Sequence, residues 1–235
     1  MLAHPSIRPY PEAFLRLVYP AACALCRHML EAAESGLCVS CRAGFENSAY
    51  EIGEACSAQR FEFLDSAWSL YPYESPAGEI LSAVKFLRKE WLLGLFENAL
   101  ARLAPVIAAE TAYNAVVPIP IERTRLFERE FNQAERIAAR VSRHAGVPEK
   151  KILKKVRKTF SQSGLGKRER RVNLFQAFRL RNPAAAEGKN FLLIDDIFTT
   201  GATGEETARL LKSRGARQVD ILTLARTESW KEAAR

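Results

Sequence analysis

A strongly apolar run that ends in two adjacent carboxylates constrains the fold of this chain more than any other feature. Phe191–Ile194 has the length of a buried β-strand, and Asp195 and Asp196 follow it at once. A short segment of small residues, Thr199–Thr203, comes next, and a helical pattern begins at Glu205. A strand–loop–helix unit of this kind predicts that the two acids lie at the carboxyl edge of a parallel sheet, where open α/β sheets bind ligands.

The loop after the acids has the composition of an anion site. Its small side chains let the backbone approach a ligand, its three hydroxyls can donate, and the following helix N-terminus favours negative charge: Thr199, Thr200, Gly201, Ala202 and Thr203. Two carboxylates beside it would repel a phosphate unless they faced neutral groups, and ribose hydroxyls, with or without Mg²⁺, satisfy that condition. The pattern therefore predicts a site for a phosphorylated ribose. A purely structural reading is a strand, a turn and a capped helix, with 203–206 as a capping box.

The rest of the chain alternates between the two kinds of secondary structure. We expect strands at 67–71, 115–120, 190–194 and 219–225, and helices at 79–88, 92–107, 131–144 and 205–214. This order predicts an α/β fold, a mostly parallel sheet with flanking helices. The stretch 150–182 fits neither element, and a long loop inside a compact domain is usually functional or disordered.

The net charge of +8 is concentrated in one place. Between Lys150 and Arg171 stand ten basic residues and one acid, so this segment carries +9 and the rest of the chain −1. Such a block attracts phosphates, on a small ligand or on nucleic acid, although charge runs are usually solvated loops. No apolar run approaches the ~18 residues of a membrane helix, and the first residues lack signal-peptide features. We therefore expect a soluble, cytoplasmic protein without membrane insertion.

Five cysteines fall within residues 21–60, a segment with few large apolar residues. Four of them form two C-x₂-C pairs with eleven residues between the pairs: Cys23, Cys26, Cys38 and Cys41. Two such pairs supply the four thiolates that structural zinc prefers, and a metal can replace a missing core. A redox C-x₂-C is the competing interpretation. His28 is expected at the surface and Cys56 is expected to be a structural thiol. The predicted domains are 1–60, with an N-terminal helix and a zinc ribbon, and 61–235.

The apolar strand, the two acids and the Thr/Gly loop resemble the signature of type I phosphoribosyltransferases. The resemblance implies that Asp195 and Asp196 bind the ribose hydroxyls of phosphoribosyl pyrophosphate and that Thr199–Thr203 bind its 5′-phosphate. Some purine-salvage members carry a third acid inside the loop, where this chain has Phe198 and Thr199. That departure argues against purine salvage.

Further segments resemble the ComF family over roughly residues 20–227. They are Val117–Pro120 with Arg123, Arg125 and Arg129–Ala134; Lys158–Gln162 with Arg168, Arg171, Asn173, Ala177 and Phe178; Leu222–Arg226; and the cysteine-rich start. ComF proteins are associated with DNA uptake in natural competence. Glu130 departs from the family, which usually has glycine there, and only Cys56 remains of a second cysteine set.

The resemblance also implies roles for basic residues in phosphoribosyl transfer, a glycosyl transfer that displaces pyrophosphate. Catalysis requires neutralisation of that leaving group, by Mg²⁺ and by cations in a site closed to water. The family pattern implies a lid over the pyrophosphate that carries Lys158, Gln162, Arg168 and Arg171, with Lys85 and Arg125 as further ligand contacts. The acceptor and the oligomeric state cannot be predicted from the sequence.

Two functional hypotheses follow. The first is a phosphoribosyltransferase that acts on phosphoribosyl pyrophosphate and an unassigned acceptor. The second is a competence factor that binds single-stranded DNA through the zinc ribbon and the basic segment, with the ribose-phosphate pocket as a regulatory or vestigial site. Binding to DNA through several phosphates would weaken steeply with salt. The basic segment contains only Phe160 for base stacking, which favours the first hypothesis.

Overall fold

The computed structural model describes residues 22–31, 33–55, 61–157, 174, 176–182, 184 and 186–227. By internal contacts the chain divides between Asn47 and Ser48 into two compact units. Residues 48–55 belong to the second unit because Tyr50 donates its N–H to the Leu70 carbonyl, and Arg226 donates to the carbonyls of Glu54 and Ala55. The helix expected near residues 11–18 lies outside the described residues, and the functional boundary at residue 60 stays a prediction.

The described residues of the first unit include the four paired cysteines and one helix, α1 (Val39–Asn47). Single β-bridges join Ala22 to Met29 and Ser35 to Leu37. Glu34 fixes the approach to α1, because its carboxylate accepts the N–H groups of Glu31 and Val39. Backbone hydrogen bonds and a metal cluster can hold so small a unit together where apolar burial cannot.

The second unit carries the remaining elements. In chain order they are α2 (Ile52–Ala55), β1 (Ser66–Pro72), α3 (Pro76–Phe86), a 3-10 helix (Glu90–Phe96), α4 (Glu97–Glu110), β2 (Ala115–Pro118), α5 (Arg123–Arg129), α6 (Gln133–Ala145), β3 (Leu153–Lys155), β4 (Phe178–Leu180), β5 (Asn190–Phe198), α7 (Ala202–Lys212) and β6 (Gln218–Arg226). Four of the strands form one parallel sheet in the order β1-β6-β5-β2. The predicted α/β fold with a mostly parallel sheet is confirmed.

Helices cover both faces of this sheet. One face packs against α3, α4 and α6, and the other packs against α7 and the small antiparallel pair β3–β4. Phe191 and Leu193 of β5 belong to the core cluster on the α7 side, together with Ala208 and Leu211. Because every residue of β5 from Phe191 to Ile194 is buried, this strand reads in the sequence as one continuous apolar run.

The expected strands and helices are present, with shifted ends. The helix predicted from residue 79 begins at Pro76, because Ser75 caps it and accepts the Ala77 N–H, and proline is favoured at a first helical position. Five elements of the described residues were not predicted, among them the helices α1 and α2 within the cysteine-containing segment 21–60. The helix α5 is short, and the three-residue strands β3 and β4 lie within the stretch that fitted neither pattern.

The continuous helical run Glu90–Glu110 is long and apolar enough to span a membrane by length and composition, although Glu97, Asn98 and Arg102 interrupt its apolar residues. Its apolar face is nevertheless packed inside the second unit, where Phe96, Leu100 and Ile107 are fully buried. That packing is typical of a core helix in a soluble domain.

Candidate functional site

A cleft of about 760 Å³ opens at the carboxyl ends of β1, β2 and β5. The structure places five of the predicted ligand residues in its wall: Lys85, Asp195, Asp196, Thr199 and Thr203. Side chains from α5 and α6 line the opposite wall. This is the edge at which open α/β sheets bind ligands.

The two acids lie inside β5, where the sequence predicted that the strand had already ended. The strand continues to Phe198 because β6 pairs with it throughout, from Asn190↔Gln218 to Phe198↔Arg226. On its other side, β2 pairs with β5 only as far as Pro118↔Ile194. The backbone that carries the acids is therefore held along one edge and borders the cleft along the other.

Asp195 and Asp196 point to opposite faces of the sheet, since successive strand residues alternate. Asp196 faces α3, where its Oδ2 lies 2.9 Å from Lys85 Nζ. Asp195 also borders a small recess under the loop, together with Thr199, Gly201 and other loop residues. The adjacent carboxylates thus occupy unlike surroundings within one cleft.

The surroundings of Asp195 raise its pKa above the ordinary value. Burial, and then the neighbouring Asp196 carboxylate, raise the pKa of Asp195 to about 7, against the lowering effect of the Asp196 N–H, which donates to its Oδ1. Lys85 neutralises Asp196, so the negative charge of the pair is largely compensated in the absence of ligand. This compensation reduces the repulsion that the two adjacent carboxylates would exert on an anionic ligand.

The loop after β5 turns on Gly201, which has a φ of 74° and forms the N-cap of α7. A Cβ at this position would lie 2.8 Å from Phe198 Cζ, so both the φ and the contact require glycine. No side chain caps the helix. The N–H groups of Ala202, Thr203 and Gly204 have no hydrogen-bond partner among the described residues, which leaves them pointing toward an anion position.

The capping box predicted at 203–206 is wrong. The helix already begins at Ala202, and its two glutamates bind other segments instead. Glu205 accepts the N–H groups of Glu62 and Phe63, which lie just before β1. Glu206 accepts the Gln176 N–H. The first turn of α7 therefore anchors two neighbouring segments and keeps its own N–H groups free.

The connection between β3 and β4, which contains much of the basic segment, begins and ends beside this cleft. Lys155 and Phe178, at its two ends, both line the cleft, and Lys155 Nζ lies 5.5 Å from the Phe178 ring centroid. Four predicted lid residues lie outside the described residues: Lys158, Gln162, Arg168 and Arg171. Arg125 lies on α5, and its side chain is also outside the description.

Sequence reasoning assigned no role to several residues of the cleft wall. Asn132 caps α6: its Oδ1 accepts the Ala134 N–H and its Nδ2 donates to the Ile119 carbonyl, 3.1 Å away. The neighbouring Gln133 is buried and lines the cleft. The motif Phe131–Ala134 that carried the family resemblance was the signal that could have identified them.

Glu130 has a left-handed backbone conformation. This conformation explains why the family usually has glycine at that position. Its φ is 67°, and it ends α5. Its carboxylate accepts a hydrogen bond from Arg88 Nη1 at 2.6 Å, and Arg88 has a positive φ of 53°. Two residues in a backbone region that favours glycine are thus joined by one ion pair.

In the first unit, the thiols of Cys23, Cys26, Cys38 and Cys41 all lie within 4.8 Å of one another. The distance between Cys26 Sγ and Cys38 Sγ is 3.7 Å, and the edge of a tetrahedron with Zn–S bonds of about 2.3 Å is roughly 3.8 Å. The four cysteines can bind a metal such as zinc. His28 is exposed and does not belong to the cluster, and Cys56 lies outside the described residues.

The thiols perturb one another. Hydrogen bonding with Cys38 and Cys26 raises the pKa of Cys41 to about 12. Burial opposes the ionisation of Cys23, but backbone N–H groups of Cys38, Cys26 and Leu25 outweigh it and lower its pKa to about 6. Backbone donors aimed at a sulfur stabilise thiolate, the form that binds metal.

Known proteins are similar to the cleft domain and to most of the chain. The phosphoribosyl transferase domain matches residues 132–234. Competence protein F of Haemophilus influenzae is 28% identical over 87% of this chain and 96% of its own. Competence protein ComFC of Bacillus subtilis is 29% identical over 87% and 84%, and the DNA utilization protein YhgH of Salmonella typhimurium is 26% identical over 90% and 99%. An adenine phosphoribosyltransferase structure from Saccharomyces cerevisiae covers 62% of this chain and 75% of its own, at 15% identity and a TM-score of 0.40.

The parallel sheet, the acids at its edge and the Thr/Gly loop before α7 define a protein of the type I phosphoribosyltransferase fold. With this domain behind a four-cysteine module, and with relatives along nearly the whole chain, the protein is similar to the ComF family.

Proposed function

We propose that this protein binds phosphoribosyl pyrophosphate and transfers its phosphoribosyl group to an acceptor, in a process connected with DNA uptake in natural competence. One observation carries the proposal: Asp195, Asp196 and the uncapped start of α7 border the same cleft at the carboxyl edge of the sheet. Carboxylates suit a ribose diol and free N–H groups suit a phosphate, and here they lie side by side. The names of the relatives, which refer to competence and to DNA utilization, support this connection.

In this proposal the 5′-phosphate binds the loop Thr199–Thr203, where the N–H groups of Ala202, Thr203 and Gly204 donate to its oxygens. The ribose 2′- and 3′-hydroxyls donate to Asp195 and Asp196. Asp195 accepts a hydroxyl proton best as a carboxylate, and a pKa near 7 leaves it ionised above neutral pH. The sugar is then held along one edge, with C1 directed away from the loop.

Transfer breaks the bond between C1 and the diphosphate oxygen, whose electron pair leaves with pyrophosphate, while the lone pair of the nucleophile forms the new bond to C1. Charge builds up on the leaving oxygens. Lys85 and Lys155 line the cleft on this side, and the basic connection between β3 and β4 starts there. Carboxylate oxygens are ligands that Mg²⁺ accepts, and the ion would supply further neutralisation of the diphosphate when bound with it.

The experiment that tests transfer is pyrophosphate release. The full-length protein is incubated with Mg²⁺ and labelled phosphoribosyl pyrophosphate, alone and with panels of nucleobases, primary amines and single-stranded DNA. Release that depends on one acceptor class supports transfer and identifies the acceptor. Binding without release under any condition contradicts the enzymatic half of the proposal and leaves a sensor of the ligand.

We also propose that the metal of the cysteine cluster is zinc with a structural role. Four thiol ligands fill all four positions of a tetrahedral site, so no open position remains for catalysis. The metal holds together the cysteine-containing segment 21–60, which has few large apolar residues.

A second candidate is binding of single-stranded DNA, and one feature favours it. Three aromatic side chains of the second unit are exposed: Phe86 at 76%, which lines the cleft, Phe127 at 87%, on α5, and Trp91 at 56%, on the 3-10 helix that packs against α3. Exposed aromatics beside cations are typical of base-stacking surfaces. Fluorescence anisotropy with a labelled oligonucleotide at rising salt tests it, since contacts to several phosphates predict a log–log slope of roughly −0.7 per contact. Affinity that is absent at low salt contradicts it.

A further inference from the structure

The loop Thr199–Thr203, the phosphate loop of the proposal above, rests on one aromatic ring. A Cβ on Gly201 would lie 2.8 Å from Phe198 Cζ, so the backbone contacts this ring where the loop turns. Phe61, the first residue of the segment 61–64 before β1, packs edge-on against the Phe198 ring, with the centroids 5.6 Å apart and the planes at 79°. Because an edge-to-face pair restricts the orientation of both rings, Phe61 fixes the surface on which the loop turns.

A second set of contacts joins the same segment to the helix that follows the loop. Glu205, a buried residue in the first turn of α7, accepts the N–H groups of Glu62 and Phe63 at 2.8 and 2.9 Å, one on each carboxylate oxygen. Leu64 packs against the same turn, because a Cβ on Gly204 would lie 3.0 Å from Leu64 Cδ1. The segment is therefore attached both to the ring under the loop and to the helix after it.

The loop depends on such neighbours for a fixed shape. Among the residues that the structure describes, no side chain caps α7, and Gly201 at its N-cap has a φ of 74°. The N–H groups of Ala202, Thr203 and Gly204 bind a phosphate well only when they converge on one point. A loop that became ordered only on binding would lose affinity to the entropy of ordering, so contacts that order it beforehand strengthen binding.

We infer that Phe61 and Glu205 are positioning residues for phosphate binding, which hold the loop N–H groups in the arrangement that converges on an anion. The inference rests on the proposed function, from which it takes the phosphate site. Neither side chain lines the cleft or the small recess under the loop. Both therefore act on the ligand through the Phe198 ring and the first turn of α7, without contact of their own.

The charge of Glu205 separates a positioning role from an electrostatic one. Its carboxylate lies in the first turn of the helix whose start binds the anion, so loss of the charge alone would raise the affinity for a phosphate. Glu205→Gln removes the charge and replaces one acceptor oxygen with an NH₂ group, which cannot accept a backbone N–H. A positioning role predicts that this variant binds more weakly although the repulsion is gone.

Calorimetric titration of the full-length protein with ribose 5-phosphate, inorganic phosphate and phosphoribosyl pyrophosphate with Mg²⁺, each separately, tests the inference. We expect Phe61→Leu to bind ribose 5-phosphate roughly 3- to 10-fold more weakly than wild type, the effect of one aromatic pair. Phe61→Tyr keeps the ring and should keep the affinity, and Glu205→Gln should lose affinity. Phe96→Leu is the matched control: it breaks the edge-on pair of Tyr71 and Phe96, 5.5 Å apart on the side of the sheet away from α7, and should leave the affinity unchanged.

Melting curves without ligand set a temperature at which every variant is folded. Unchanged affinity in Phe61→Leu, or higher affinity in Glu205→Gln, overturns the inference. An equal loss in Phe96→Leu overturns it too, because affinity would then follow stability alone. If wild type binds ribose 5-phosphate but not phosphoribosyl pyrophosphate, the proposed function fails while the variants still decide the inference. If wild type binds neither ribose 5-phosphate nor inorganic phosphate, the inference fails.

Discussion

Lys85 Nζ lies 2.9 Å from Asp196 Oδ2, and this ion pair joins α3 to β5 at the edge of the cleft. The side chains are only 19% and 12% exposed. Shielding from water strengthens the attraction, and it also makes either charge costly when its partner is removed. The pair keeps one of two adjacent acids neutralised until a ligand arrives.

Substitution Lys85→Met should therefore destabilise the protein by about 1–3 kcal/mol, because Asp196 would keep its charge without a partner. Urea unfolding at pH 8 measures the change. Lys151→Met is the matched control, since Lys151 pairs with Glu135 at a site where its side chain is 55% exposed; its expected cost is within about 0.5 kcal/mol. Equal losses of unfolding free energy in the two variants would show that the Lys85–Asp196 pair contributes no more to stability than an exposed ion pair.

Asp195→Asn should stabilise the ligand-free protein at pH 8. The folded-state pKa of Asp195, about 7, lies above its ordinary value of 3.8, so the folded state favours the protonated form. Its carboxylate is a destabilising charge above pH 7, and that penalty is relieved as the pH falls from about 7 toward about 4. The variant should lose this pH dependence and gain roughly 1–3 kcal/mol at pH 8.

Asp196→Asn is the comparison for that experiment. It removes the carboxylate that Lys85 pairs with, so it should lower stability at pH 8, opposite in sign to Asp195→Asn. Melting temperatures of both variants and of wild type, measured from pH 5 to pH 8, show the sign of each change in stability. If both substitutions changed the melting temperature in the same direction, the conclusion that the two acids have different surroundings would be contradicted.

The fold was largely predictable because its signals are local. The apolar run of β5 is buried on both faces, and the helices α3, α4 and α6 show their apolar positions at helical spacing. The end of β5 was not predictable, because it depends on pairing with β6, which is distant in sequence. The same holds for Glu206, which accepts the Gln176 N–H and a hydrogen bond from Arg209 and does not form the expected capping box.

The site was predictable in part for a similar reason. The sequence indicated Asp195 and the loop, because an acid pair and a run of small hydroxyl residues directly follow an apolar strand. Lys85 and Asp196 are 111 positions apart, and only the family resemblance placed Lys85 near the ligand. Gln133 was not assigned a role although it stands in the family motif Arg129–Ala134, because its buried position in the cleft wall becomes visible only in the fold.

Glu130 offers a test of how this chain replaces the family glycine. Its φ of 67° destabilises the folded state by about 1 kcal/mol for a non-glycine residue. Its exposed ion pair with Arg88 stabilises the folded state by at most a similar amount. Glu130→Gly should leave stability within about 1 kcal/mol of wild type, and Glu130→Ala should destabilise, because it keeps the strain and loses the pair. Chemical unfolding of the two variants compares them directly. A Glu130→Gly variant less stable than Glu130→Ala would contradict this account.

The cysteine cluster should bind one metal ion per chain. Elemental analysis of purified protein should find about one equivalent of zinc for wild type and a large loss for Cys26→Ser, because one of four ligands is removed. Cys56→Ser is the control, and it should keep its zinc. A full complement in Cys26→Ser, or none in wild type, would exclude the proposed site.

The central claim is that Asp195 and Asp196 hold the ribose of phosphoribosyl pyrophosphate. Calorimetric titration of that ligand with Mg²⁺ into wild type and into the double variant Asp195→Asn with Asp196→Asn tests it most directly. We predict saturable binding to wild type and none to the double variant, with the zinc content of both proteins the same. Equal affinity of the two proteins for the ligand would contradict the claim.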